Sequence, residues 1–197
     1  MIHHHLSSRK SILAFSEDTI DEQTFQKLFE AARWAPSAFN EQPWRFIAGR
    51  RSEATFEKLL DCLSPGNQVW AANAAFLFLS IAKKTNSHNQ QKNRHAQHDL
   101  GLAVGNITFQ AKELGIDLHQ MGGFDEKKAI ETFGIPDDYE AVAIVAGGYP
   151  GNPELLSENL KVRAMKIRTR KSLDELVFTS TFGQPHPLFI HPINHSA

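Results

Sequence analysis

"AANAAFLFLSIA", residues Ala71 to Ala82, is the longest mostly apolar run of the chain, and its length decides what it can be. A membrane-crossing helix needs about 20 such residues, so the run reads as a buried strand from about residue 75. Downstream, "EAVAIVAGG" (Glu140 to Gly148) is apolar enough to be a second, central strand. "WRFIAG" (Trp44 to Gly49) reads as a strand, and "DLHQMGGF" (Asp117 to Phe124) as a short extended segment broken at Gly122-Gly123.

Helical patterns fill the spaces between. In "TIDEQTFQKLFEAARWA", Thr19 and Glu22 have capping-box spacing, and Phe25, Leu28, Phe29 and Ala32 follow the helical period. "SEATFEKLLDCL" predicts a helix capped by Ser52, and "SPGN" at 64–67 a turn. The polar "KKTNSHNQQKN" predicts an exposed loop before the long helix "HAQHDLGLAVGNITFQAKELG". Gly101 and Gly105 weaken that helix by roughly 1 kcal/mol each, which predicts close approach by a flat ligand or by a partner helix in a dimer core. Asp125 caps "EKKAIETFG", which closes with Gly134 and Pro136. After Tyr149 periodicity fades except in "SLDELVF". Helices and strands alternate without a repeating unit, which predicts an α+β sandwich in one domain, residues 1–197, with 183–197 as a C-terminal arm.

The 21 basic and 22 acidic residues give a net charge of -1, so no nucleic acid or anionic membrane is expected as a partner. The one cysteine, Cys62, fits a reducing compartment. The N-terminus lacks a signal-peptide pattern, which makes the cytoplasm the expected location. No metal site is expected: His95, His98 and Asp99 read as a helix surface, and His3, His4 and His5 as a short tract without fixed geometry.

Several clusters carry chemistry. Arg9, Lys10 and Ser11 combine charge and a hydroxyl suited to a phosphate monoester, and Arg168 and Arg170 in "KIRTRK" repeat it on one side of an extended chain. As an isolated run, each reads more readily as a solvated surface. Gly122-Gly123 suits either a tight turn or a flat ring against the backbone. The loop within "RWAPSAFNEQPWRFI" carries Ser37, Asn40 and Gln42 between Pro36 and Pro43. Neither a dinucleotide fingerprint nor a nucleophile elbow is present, which points to a bound cofactor as the carrier of the chemistry.

"SSRKSILAF", "ARWAPSAFNEQPWRF", "PGNQVWAANAAF", "HDLGLAVGNITFQAKELGIDLHQMGGFD", "GIPDDYEAVAIVAGGYP" and "IRTRKSLDELVF" together resemble the FMN-dependent nitroreductase family, in order and spacing, from about residue 7 to 180. The resemblance implies a three-layer α/β/α sandwich with a mainly antiparallel sheet, in an intertwined homodimer with FMN at the subunit interface. It implies ping-pong reduction of nitroaromatic, quinone or similar small acceptors by NAD(P)H through flavin N5. A low-turnover FMN-binding protein and another reaction on the same fold, such as reductive dehalogenation, are the alternatives. It assigns Arg9, Lys10, Ser11, Arg168 and Arg170 to the FMN phosphate. Pro36, Ser37 and Asn40 become contacts from the partner subunit to the ring, with Gln42 close by, and Met121, Gly122 and Gly123 the segment beside it. No catalytic side chain is assigned. Trp44 reads as a core anchor. The family pattern has basic residues at two positions where this chain has Leu13 and Trp70, and such a charge near flavin N1 and O2 would stabilise the reduced form.

Overall fold

The structure is a computed structural model that describes residues 2–190. Four strands form one antiparallel sheet in the order β1-β2-β4-β3: β1 is Trp44–Arg50, β2 Phe76–Lys83, β3 Asp117–Met121 and β4 Tyr139–Gly148. The two most apolar runs are the two inner strands, as their composition requires. In β2 the side chains alternate between two apolar clusters. Phe76, Phe78 and Ala82 join α2 (Glu22–Arg33) and α5 (Ala96–Glu113), while Leu77, Leu79 and Ile81 join α3 (Ala54–Cys62), α4 (Pro65–Ala71) and α6 (Glu126–Phe133). The first cluster is knitted by Phe25, Phe29, Phe46, Phe76 and Phe78, whose rings meet largely edge to face at 5.1–5.7 Å. Trp44 belongs to it, 7% exposed, as a core anchor.

Several local readings change. The cap of α2 is Asp21, whose side chain accepts from Thr24 N–H, because it stands directly before the first helical residue while Thr19 lies two positions earlier. Glu53 is the N-cap of α3, and Ser52 instead takes the turn, with φ 76°. "SPGN" opens α4 rather than making a turn, since proline at the first helical position loses no internal hydrogen bond. Asp125 does cap α6, accepting from Lys128 N–H, and Gly134 closes it in the left-handed conformation. Two short helices carry too little periodicity to be read from sequence: α1, His4–Ser8, and α7, Glu158–Ala164.

Two compact units are present, divided between Ala164 and Met165. The second contains a 3-10 turn at Leu173–Glu175, where Ser172 and Glu175 form a capping box, and a bridge between Phe178 and Pro185. "SLDELVF" is therefore a single turn, not an amphipathic helix. Of the expected arm at 183–197, residues 187–189 make another 3-10 turn, and 191–197 lie outside the described residues. Among the described residues no helix is long and apolar enough to cross a membrane.

Candidate functional site

Between α2 and β1 the chain passes through the loop that begins at Pro36 and ends at Pro43. Phe39, Asn40 and Gln42 there have φ of 52°, 56° and 46°, the left-handed region that costs a non-glycine residue about 1–3 kcal/mol. Hydrogen bonds hold it. Ala38 N–H donates to Asp99 Oδ2 at 3.0 Å, Gln42 N–H to Ser37 Oγ at 3.0 Å, and Gln42 Nε2 to Asn40 Oδ1 at 3.1 Å. Asp99 projects from α5 and is 2% exposed, with His98 Nδ1 3.0 Å from its other oxygen. From the other side, Glu41 accepts from Ser87 N–H at 2.7 Å and lies 2.7 Å from His88 Nδ1. Two carboxylates thus grip the loop, one from α5 and one of its own reaching Ser87 and His88. Asp99 is buried, contrary to its reading as part of a helix surface.

The Ser87 N–H, then the His88 side chain, holds the Glu41 carboxyl down to about 2. A depressed carboxyl stabilises the folded state above its ordinary value and loses that contribution as pH falls toward the folded value. Intrinsic-rate-corrected amide exchange at Ser87 should therefore stay level from pH 7 to about 5 and accelerate between about 4.5 and 2. Glu41→Gln should abolish this acid step. An unchanged step in that variant would show that another group governs it.

At the end of β3, Met121 is buried and Gly122 and Gly123 are exposed. Neither glycine has a positive φ, so a left-handed turn does not explain the pair. A Cβ on Gly123 would lie 2.9 Å from Asn67 Nδ2 and 3.1 Å from Ser64 Oγ, because α4 begins against it. Ser64 N–H and Asn67 Nδ2 both donate to the Gly123 carbonyl, at 3.0 and 3.1 Å. Gly122 is different: a Cβ there would meet nothing within 4 Å.

Arg9, Lys10 and Ser11 follow α1 on irregular backbone, with Arg9 Nη1 donating to Ser11 Oγ at 3.3 Å. The next residue, Ile12, ties this segment to β3 through its carbonyl, 2.8 Å from His119 Nδ1. Burial first, then the positive charges of Arg163 and Arg9, pushes the His119 imidazole below its ordinary value. The carbonyl can only accept, so His119 donates to it from Nδ1. Arg9 also lines a cavity of about 470 Å³ with Gln120 of β3 and Gly101, Gly105 and Asn106 of α5. Added Cβ atoms on Gly101 and Gly105 would meet nothing within 4 Å. Their small size leaves an open helix face. Arg168 and Arg170 lie in the second unit, both exposed, with Arg170 Nη1 donating to the Thr169 carbonyl at 2.7 Å.

The two departures from the family pattern are core residues. Leu13 is 3% exposed among Phe15, Trp70 and their neighbours, and Trp70 is 0% exposed, with its ring 4.5 Å from that of His119. Asp99, Glu41 and His119 were not singled out as site residues from the sequence. For Asp99 a signal exists, because it falls on the buried stripe of α5 with Ala96, Leu100, Ala103 and Ile107. For Glu41 and His119 none does, since their partners are 46 and 107 residues away.

A sequence model of the nitroreductase family matches residues 6–64 and 57–149. A provisionally named NADH dehydrogenase/NAD(P)H nitroreductase of Archaeoglobus fulgidus is 31% identical over 147 residues, 73% of this chain and 82% of that protein. An uncharacterised 15.4 kDa protein of Mycolicibacterium smegmatis is 32% identical over 72% of this chain and 99% of its own. Among solved structures, an oxidoreductase containing FMN has a TM-score of 0.88 at 30% identity, covering 93% of this chain and 94% of that one. The family match runs through the N-terminal motif, the gripped loop, α5 and the glycine end of β3, and this chain accordingly belongs to the nitroreductase family.

Proposed function

We propose that the chain is an FMN-dependent oxidoreductase in which NAD(P)H is the reductant and a nitroaromatic, quinone or similar small molecule the acceptor. The observation that carries this reading is the open flank of Gly122 at the end of β3, on the strand to which the Arg9–Ser11 segment is tied through Ile12 and His119. The donor set fits FMN. Arg9, Lys10 and Ser11 would take its phosphate, and Met121, Gly122 and Gly123 would lie beside its ring. Pro36, Ser37, Asn40 and Gln42 of a second copy would meet the ring's polar edge, in an intertwined homodimer of three-layer α/β/α subunits. The open face of α5 around Gly101 and Gly105 suits that assembly. Bound FMN would supply hydride transfer at N5, accepting from NAD(P)H and giving to the acceptor in two half-reactions. The protein's part is anchorage, orientation and water exclusion. The related structure that contains FMN supports the cofactor, and the relative named for NAD(P)H supports the reductant.

The test is the visible spectrum of the purified protein under nitrogen, before and after NADH or NADPH. A flavin spectrum that bleaches, and returns when a nitroaromatic or quinone is added, is expected. Absence of flavin, with no binding of added FMN, would overturn the reading. A second reading, a flavin-binding protein of low turnover, is favoured by the apolar burial of Leu13 and Trp70, which leaves no cation at either position. It predicts bound flavin that does not bleach.

A further inference from the structure

The histidines at the N-terminus lie together, with His3 and His4 exposed and His5 buried. Successive residues on a helix point about 100° apart, so three consecutive imidazoles ordinarily diverge. Here His3 is the N-cap of α1, with φ -59° and ψ 135°, outside the helical range. Each ring can offer a nitrogen such that the three lie within 4.8 Å of one another. His5 is 7% exposed, with its ring 5.2 Å from Phe109 of α5. Its Nε2 lies 2.6 Å from Glu113 Oε2, and a proton donated there leaves Nδ1 with the lone pair.

We propose that His3, His4 and His5 form a site for a divalent transition metal of the zinc, nickel or copper class, with Glu113 as the residue that orients His5. Three neutral imidazoles suit these ions, and a carboxylate on the far nitrogen of a ligating histidine fixes its tautomer and raises its basicity. Zinc–nitrogen bonds of about 2.0–2.1 Å place tetrahedral ligands about 3.3 Å apart, so the rings must draw together by an ångström or so. The weak contact from His5 N–H to His3 Nδ1, 3.3 Å, yields as that ring turns. The fourth position is open to water or a further ligand. Metal binding here takes no part in the flavin chemistry proposed above, although His5 lines the cavity that Arg9 also lines.

Calorimetric titration of the full chain with Zn²⁺ tests the idea. One ion per chain is expected, with affinity lowered at least tenfold in His5→Ala and about 10–100-fold in Glu113→Ala, and unchanged in His98→Ala. Glu113 is a largely exposed helix-end residue, so its variant keeps the fold while removing the orienting carboxylate. Equal affinity in wild type and Glu113→Ala would mark an ordinary flexible histidine tract and overturn the proposal, as would failure of the wild type to bind zinc.

Discussion

Asp99→Ala is expected to weaken FMN binding about 10–100-fold and to lower the midpoint of thermal unfolding by about 4–8 °C. The carboxylate is 2% exposed and accepts the Ala38 N–H, the contact by which α5 holds the loop from Pro36 to Gln42. A hydrogen bond to a charged group contributes about 1.5–3 kcal/mol. Phe39, Asn40 and Gln42 hold their positive φ angles against a cost of comparable size for each. Once the anchor is gone, the loop relaxes toward ordinary backbone angles and the amides of Asn40 and Gln42 lose their direction. Asp99→Asn retains an acceptor oxygen and should recover part of both losses. Fluorescence titration with FMN and thermal melts on the three proteins give the answer. Unchanged FMN affinity in Asp99→Ala would show that the loop keeps its shape without the anchor, or takes no part in flavin binding.

Leu13→Arg is expected to cost about 3–5 kcal/mol of stability, the scale of an uncompensated buried charge. Domains of this kind have roughly 5–15 kcal/mol in total, so the variant approaches unfolding. Leu13 is 3% exposed and packs in the cluster that contains Phe15, Trp70 and Leu77. A guanidinium there must either leave water or push the segment after Ser11 off β3, breaking the Ile12–His119 contact. Leu13→Met, which conserves volume and polarity, should cost less than about 1.5 kcal/mol. Urea unfolding of the three proteins measures this directly. If Leu13→Arg unfolds at the wild-type urea concentration, the core position assigned to Leu13 is wrong. The expected loss means that the basic residue of the family pattern cannot be transplanted here, and any charge near the flavin must come from another group.

Much of the fold was legible because its signals are local. The two inner strands are read from uninterrupted apolar runs, α6 from Asp125 and Gly134, and α5 from its length. Boundaries failed where two residues compete for one role: Thr19 against Asp21, Ser52 against Glu53. "SPGN" was misread because proline and glycine serve helix starts as well as turns. The site was legible as a set of motifs but not as a mechanism of support. That Ser37, Asn40 and Gln42 are polar is visible in the chain; that their loop is held by Asp99 and Glu41 is not.

By itself, the sequence determined the α+β class, the central strands and the family. The first two follow from composition and period and the family from ordered motifs, which are properties of neighbouring residues; the flavin residues are what that resemblance implies. The tertiary structure decided that Leu13 is core, that Gly123 is small because α4 starts against it while Gly122 stands open, and that His3, His4 and His5 converge. The burial of Leu13 and the crowding of Gly123 depend on residues far apart in the chain, and the place of His5 on Glu113, 108 residues away, so these partners exist only after the chain has closed on itself.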